Sequence, residues 1–393
     1  MQYRLDKKSG NELSILGFGC MRYPRRMGIT DKDKTEALII SAIDRGVNYF
    51  DTAYSYMDSE AVLGEILHKH GVRSKIFLAT KLPHQRCRTY EDFDRLFSEQ
   101  LGRLKTDYID YYLIHNISEP LAWERLCELG IREWIGEKKR AGQIHQIGFS
   151  FHGMQAGFMS LLDVYDWDFC QIQYNYLDEN YQAGRAGLMK AYGMGLPVII
   201  MEPLLGGKLA TGLPKEAERQ FKAADGSRTP ASWALCWLWN QAETTVVLSG
   251  MNSFEQLEDN ITTAAEARPG MLSEGEAAVF EPVIAAFKTT YKVPCTGCNY
   301  CMPCPSSVNI PGCFSAYNAS YALGFAAAIP MYVTSIGANH PEKNYSSRNC
   351  KKCGACEQKC PQHIEIMKSL EDVTKRMEPF WFDAVMRIVR RLS

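Results

Sequence analysis

The chain has 393 residues, 46% hydrophobic and 11% aromatic, which is globular composition with large cores and too long for one ordinary domain. A formal net charge of −1 excludes the basic surplus of a nucleic-acid binder. The opening Met1-Gln-Tyr-Arg-Leu-Asp-Lys-Lys is charged and lacks the apolar stretch of a signal peptide, so a cytoplasmic protein is expected.

In chain order, Tyr3–Leu13, centred on Ser9-Gly10-Asn11, reads as a hairpin plugging the base of whatever follows. Strands are then expected at Ser14–Gly19, Val47–Thr52, Ile76–Lys81, Tyr108–His115, Ile144–Ser150, Phe169–Asn175, Pro197–Glu202 and Thr245–Gly250. Helices are expected between them at Lys32–Arg45, Ser59–His70, Tyr90–Leu104, Leu121–Arg140, Met154–Val164, Gly187–Tyr192, Thr229–Asn240 and Ser253–Ala267. Strands alternating with helices imply a parallel sheet, and eight such units imply a closed (β/α)8 TIM barrel of the α/β class. Near Tyr291-Lys-Val-Pro294 the composition turns to cysteine, glycine and proline, which puts a boundary close to residue 288. The expected domains are a barrel over 1–288, a small α-rich, cysteine-rich domain over 289–376, and an amphipathic tail over 377–393.

Barrel enzymes carry their chemistry at the C-terminal ends of the strands. Those ends display Asp51, Lys81 and His115, with Tyr56 in the loop after Asp51. A lysine ammonium beside a tyrosine favours phenolate, which makes the phenol a better proton donor near neutral pH. A carboxylate such as Asp51 would hold that lysine, and a histidine on the next strand could orient a carbonyl oxygen.

The runs Asp51-Thr-Ala-Tyr-Ser-Tyr56-Met-Asp-Ser-Glu60, Leu78-Ala-Thr-Lys81, Tyr112-Leu-Ile-His115, Gly148-Phe-Ser150 and Gln171-Ile-Gln-Tyr174-Asn175 resemble the aldo-keto reductase family in order, over roughly residues 1 to 270. The resemblance implies Tyr56 as general acid, Asp51 and Lys81 as its tuners, and His115 as the carbonyl orienter. It implies NADPH or NADH as cofactor, with Ser150 and Gln171 on the nicotinamide carboxamide and Met201 in place of the stacking aromatic. Phe151-His152 stand where the family often has asparagine after the serine. Gly206, Gly207, Ser249, Gly250, Asn252 and Asn260 are the expected phosphate-end contacts, with Asn252 or Ser253 capping the next helix. Gln256 stands where an arginine often grips the 2′-phosphate of NADP, and a neutral amide cannot make that charged contact. Trp123, Phe151, His152 and Tyr174 are candidate substrate walls, or core.

Eight cysteines form two runs that each end in proline: Cys295, Cys298, Cys301 and Cys304, then Cys350, Cys353, Cys356 and Cys360. The second run is the C-x2-C-x2-C-x3-C-P pattern of iron–sulfur ligation, in which the fourth cysteine serves the other cluster. Two [4Fe-4S] clusters are expected, with Cys295, Cys298 and Cys301 joined by Cys360, and Cys350, Cys353 and Cys356 joined by Cys304. The x2 spacing between Cys301 and Cys304 departs from the pattern, and two zinc sites are the rival. Cys313 has no evident partner, while Cys20, Cys87, Cys127, Cys170 and Cys236 read as barrel core. The uncharged stretch Ser315–Asn339 carries Pro330, Asn318, Ser320 and Thr334, which suits a buried helix and loop rather than a membrane span. In the tail, Trp381, Phe382, Val385, Met386, Ile388 and Val389 stand against Arg387, Arg390 and Arg391, an amphipathic pattern expected to dock on its own protein or a subunit, with a membrane surface as the alternative.

The cysteine module resembles a two-cluster ferredoxin, and the whole chain resembles the ferredoxin-bearing branch of the aldo-keto reductases. The expected activity is reduction of a small-molecule carbonyl, an aldehyde or ketone, with the clusters serving electron transfer or structure. Hydride moves two electrons and each cluster takes one. A bound flavin could convert between them, although no flavin motif is visible, and a ferredoxin or flavoprotein is the natural electron partner. The competing expectation is a cluster-fed reductase or electron-transfer subunit whose barrel does not use nicotinamide.

Overall fold

The computed structural model describes residues 1–337, 344–382 and 386. It divides into two compact units, Met1–Pro203 with Ala231–Ser273, and Leu204–Pro230 with Glu274–Ser393.

The first unit is a closed barrel of eight parallel strands: Leu16–Gly19, Tyr49–Asp51, Phe77–Leu82, Ile109–Ile117, Ile144–Phe151, Phe169–Gln173, Val198–Met201 and Val246–Ser249. All eight expected strands are present, and the eighth closes on the first through Val247 opposite Leu16. Inward-facing Tyr49, Ala79, Tyr111, Leu113, Phe169, Ile199 and Val246 fill the barrel, and Leu13 packs among them from below. Leu13 belongs to the hairpin Tyr3–Leu5 and Glu12–Ser14, which is antiparallel as the Ser9-Gly10-Asn11 turn suggested. Tyr111 donates to Asp6 at 2.7 Å and accepts from Asn11 at 3.1 Å, so the plug is tied to the barrel floor by polar as well as apolar contacts.

Local chemistry sets the helix ends. Asp31 accepts from the Lys34 amide and starts helix Lys32–Asp44, and Gly71, at φ 62°, ends helix Ser59–His70 in the left-handed conformation that glycine tolerates. The expected helix Leu121–Arg140 is two, Pro120–Glu128 and Ile131–Arg140, because Gly130 turns the chain at φ 87°. At Gly64, a Cβ would stand 2.2 Å from the Arg103 carbonyl, so helices Ser59–His70 and Glu91–Leu104 cross backbone to backbone there.

The second unit holds helix Lys215–Ala224, helices Glu274–Ala278 and Phe280–Thr290, both cysteine runs, and helices Ile310–Ala322, Phe325–Ser335 and Ile366–Met377. Its compact boundary falls after Ser273 rather than at residue 288, because Phe280 packs on Phe221, with ring centres 5.9 Å apart. The uncharged stretch forms two helices rather than a helix and a loop, broken at Gly324 (φ 93°). Among the described residues, no helix is long and apolar enough to cross a membrane. Phe382 and Met386 of the tail are buried in this unit's core. Val385, Arg387, Ile388, Val389, Arg390 and Arg391 lie outside the described residues.

Candidate active site and cysteine cluster

Three adjacent strands of the barrel bring Asp51, Lys81 and His115 together. Lys81 and Asp51 form an ion pair at 2.5 Å, their side chains only 1% and 4% exposed. Lys81 also donates to the Thr52 carbonyl at 2.8 Å, and the second oxygen of Asp51 accepts from Gln171 at 2.9 Å. Burial lowers the pKa of Lys81, and the Asp51 carboxylate opposes that shift. The ammonium stands 5.0 Å from the centre of the Tyr56 ring. His115 presents its ring edge-on to Tyr56, with centres 5.9 Å apart. Burial, and after it the Lys81 charge, push His115 well below the usual histidine range, so it is neutral at pH 7.

The loop that carries Tyr56 is pinned at both ends. Thr52 and Ser59 share a hydroxyl hydrogen bond at 2.7 Å, and Ser59 donates onward to the Cys20 carbonyl at 2.8 Å. Behind it, buried Glu60 accepts from Thr80 and Gln100, both at 2.7 Å, and pairs with Arg103 at 3.2 Å. Thr52, Ser59, Gln100 and Arg103 were not singled out from the sequence, since nothing local distinguishes a second-layer hydroxyl or amide from an ordinary one. Two more imidazoles, His84 and His152, act on His115. Burial takes His84 down to about 4, and His152 is held by the Gln182 carbonyl at 3.1 Å.

The other expected contacts divide. Ser150 and Gln171 are register partners on adjacent strands. Ser150 Oγ accepts from the Asn116 amide at 2.8 Å while Gln171 donates to Asp51, which leaves a hydroxyl proton beside a carbonyl oxygen, the pair that a primary carboxamide matches. Met201 ends the seventh strand and is half-buried. Ser253, rather than Asn252, caps helix Phe254–Glu266 by accepting from the Gln256 amide at 3.3 Å. The Gln256 side chain turns back to the Asn252 amide at 2.9 Å. Asn260 donates to Ser249 at 2.9 Å and is buried, so it ties the helix to the eighth strand. Arg22, not anticipated, has its Cβ 3.5 Å from where a side chain on Gly250 would begin, and it pairs with Glu202 at 3.1 Å. Gly206 and Gly207, at φ 64° and 95°, belong to the second unit. Of the candidate walls, Trp123 packs on Trp167 (4.7 Å) and Phe151 on Phe158 (5.1 Å) within the outer core, and Tyr174 packs on Trp237 and bonds Gln241.

In the second unit Cys295, Cys298, Cys301 and Cys360 line one small recess, otherwise walled by groups such as Ile310, Pro311, Phe314 and Ile366. Burial first, and then the charges of Cys295, Cys298 and Cys360, push the Cys301 thiol up to about 12. Among the described residues, no three cysteine, histidine or carboxylate groups converge on a point that would hold a single metal ion. Four thiols that line one recess suit a thiolate-held iron–sulfur cluster. Cys350 acts on Cys356 in the second run, and Cys304 packs on the same core. Cys20, Cys87, Cys170, Cys236 and Cys313 are buried and Cys127 half-buried.

Comparison with known proteins agrees with this division. Residues 15–268 match the aldo/keto reductase family, and residues 294–365 match the 4Fe-4S dicluster domain. Protein tas of Escherichia coli is 26% identical over 342 residues, covering 70% of this chain and 97% of that protein. The uncharacterized oxidoreductase YrpG of Bacillus subtilis is 27% identical, covering 66% and 90%. An aldo-keto reductase from Klebsiella pneumoniae in complex with NADPH shares the fold, with a TM-score of 0.60 at 21% identity, covering 72% of this chain and 95% of that one. A holo-form aldo-keto reductase from Bacillus halodurans does so at 0.58 and 24%, covering 72% and 96%. The chain belongs to the aldo-keto reductase family and carries a C-terminal 4Fe-4S dicluster domain.

Proposed function

We propose that the protein reduces an aldehyde or ketone with NADH or NADPH, with Tyr56 as general acid. The observation that carries this is the buried Asp51–Lys81 pair, its ammonium 5.0 Å from the ring of Tyr56. When bound, the nicotinamide supplies the hydride. Tyr56 gives its phenolic proton to the carbonyl oxygen, and the nearby ammonium favours the phenolate left behind. Asp51 keeps Lys81 charged against burial, and Gln171 fixes Asp51. Neutral His115 can hydrogen-bond the carbonyl oxygen without adding a second cation.

Ser150 and Gln171 would hold the carboxamide and Met201 would pack on the ring. Ser249, Gly250 and Asn252 would meet the phosphate end, with Arg22 the nearby cation. Gln256 is neutral and engaged at the helix cap, so the two nucleotides are expected to be used comparably. Two [4Fe-4S] clusters, on Cys295, Cys298, Cys301 and Cys360 and on Cys304, Cys350, Cys353 and Cys356, would supply one-electron chemistry when bound. A ferredoxin or flavoprotein is the fitting partner, and thiolate ligation suits a reducing cytoplasm.

The test is quenching of the seven tryptophans by NADH and NADPH, followed by an anaerobic screen of carbonyl compounds. Quenching and turnover are expected. Intact clusters with no response to either nucleotide would sink the reading.

A further inference from the structure

The segment between the seventh and eighth strands, Leu204–Pro230, belongs with the cysteine runs in the second unit rather than with the barrel strands that flank it. It brings Lys208. The ammonium of Lys208 donates to Ser315 Oγ at 3.3 Å. Ser315 sits on helix Ile310–Ala322, directly after Phe314, and Ile310, Pro311 and Phe314 all line the recess of Cys295, Cys298, Cys301 and Cys360. Among the described residues the recess wall carries no lysine, arginine, aspartate or glutamate, and the Lys208 ammonium is held at Ser315, the residue next to lining Phe314.

We propose that Lys208 sets the reduction potential of the cluster held by Cys295, Cys298, Cys301 and Cys360, through an ammonium tethered to Ser315 beside the cluster recess. The proposal rests on the reading that these four thiolates hold a [4Fe-4S] cluster. Such a cluster takes up one electron and becomes more negative. A fixed cation favours the reduced form, and net charge around a cluster is one of the terms that set its potential. Lys208 is a positioning charge, not a ligand. Removing it should make the cluster harder to reduce without removing iron.

The experiment uses the full chain, purified anaerobically, with iron counted before a mediator-poised titration followed by electron paramagnetic resonance. Lys208→Gln is expected to lower the reduction equilibrium constant of this cluster about tenfold, which is about 59 mV for a one-electron couple. Lys208→Glu should lower it further, and Lys208→Arg should stay within about twofold of the parent. Ser315→Ala, which keeps the charge but releases it, should give a smaller fall in the same direction. The other cluster should keep its potential throughout. A glutamine variant with full iron and a change under twofold overturns the proposal, as does equal behaviour of the glutamine and arginine variants. If the glutamine variant loses iron, Ser315→Ala decides, and an unchanged potential there overturns it. A colourless, zinc-containing parent protein would overturn the cluster reading itself.

Discussion

The candidate site of the barrel and the recess of the cysteine unit are lined in different ways. In the barrel, Lys81 pairs with Asp51, Glu60 with Arg103, and Asp110 with Arg73. The cysteine unit gathers Cys295, Cys298, Cys301 and Cys360 around a recess whose wall holds no lysine or arginine. One site is organised by polypeptide alone. The other needs its iron to balance what it concentrates.

Iron removal should therefore separate the units most sharply. Anaerobic chelation is expected to unfold the cysteine unit while the barrel keeps its far-ultraviolet signature and melting transition, because a ligand that binds only the folded form stabilises it. One cooperative loss of both units would break the comparison. Tyr56→Phe touches only the barrel, and it should cut turnover about 10²–10⁴-fold with iron content and nucleotide quenching preserved. Asp51→Asn strands a buried ammonium, and denaturant unfolding of the barrel should show a loss of about 3–5 kcal/mol.

A pH experiment sharpens the same contrast. Unfolded His84 takes up a proton near its ordinary 6.5, whereas the folded imidazole waits until about 4. Between those values the unfolded chain binds more protons, so stability falls as pH falls. From pH 7 to pH 5 the barrel should lose about 2 kcal/mol from this group, and His84→Gln should flatten that part of the profile. The smallest effect is expected at the helix cap. Ser253→Ala leaves the Gln256 amide without its acceptor and should cost about 1 kcal/mol in barrel melting, with catalysis at saturating nucleotide unchanged.

Much of the barrel was legible because period and punctuation are local. Alternating runs located all eight strands, and Asp51, Lys81 and His115 could be placed because strand ends converge in a closed barrel. Legibility stopped where contacts are distant. Helices Lys215–Ala224 and Phe280–Thr290 were not expected, since each makes sense only through the other, as Phe221 on Phe280 shows. The hydrogen bond from Gln171 to Asp51 spans 120 positions, and no pattern announces it. The split at Gly130 was missed for a different reason, because a glycine inside a helical pattern is ambiguous until its φ is known. In the cysteine unit, the cation held beside the recess arrives from a segment between two barrel strands.

Gly64 is not one of the candidate site residues, yet it bears on how Tyr56 is carried. Ser59–His70 is the helix onto which the Tyr56 loop leads, and it rests on the Arg103 carbonyl at a point where one added methyl would meet backbone. Any side chain there must lever the helix outward, pulling on Ser59 and so on the clamp that holds the tyrosine. A single hydrogen atom in place of a methyl group is thus a mechanical setting of the catalytic loop, adjusted from the outside of the barrel.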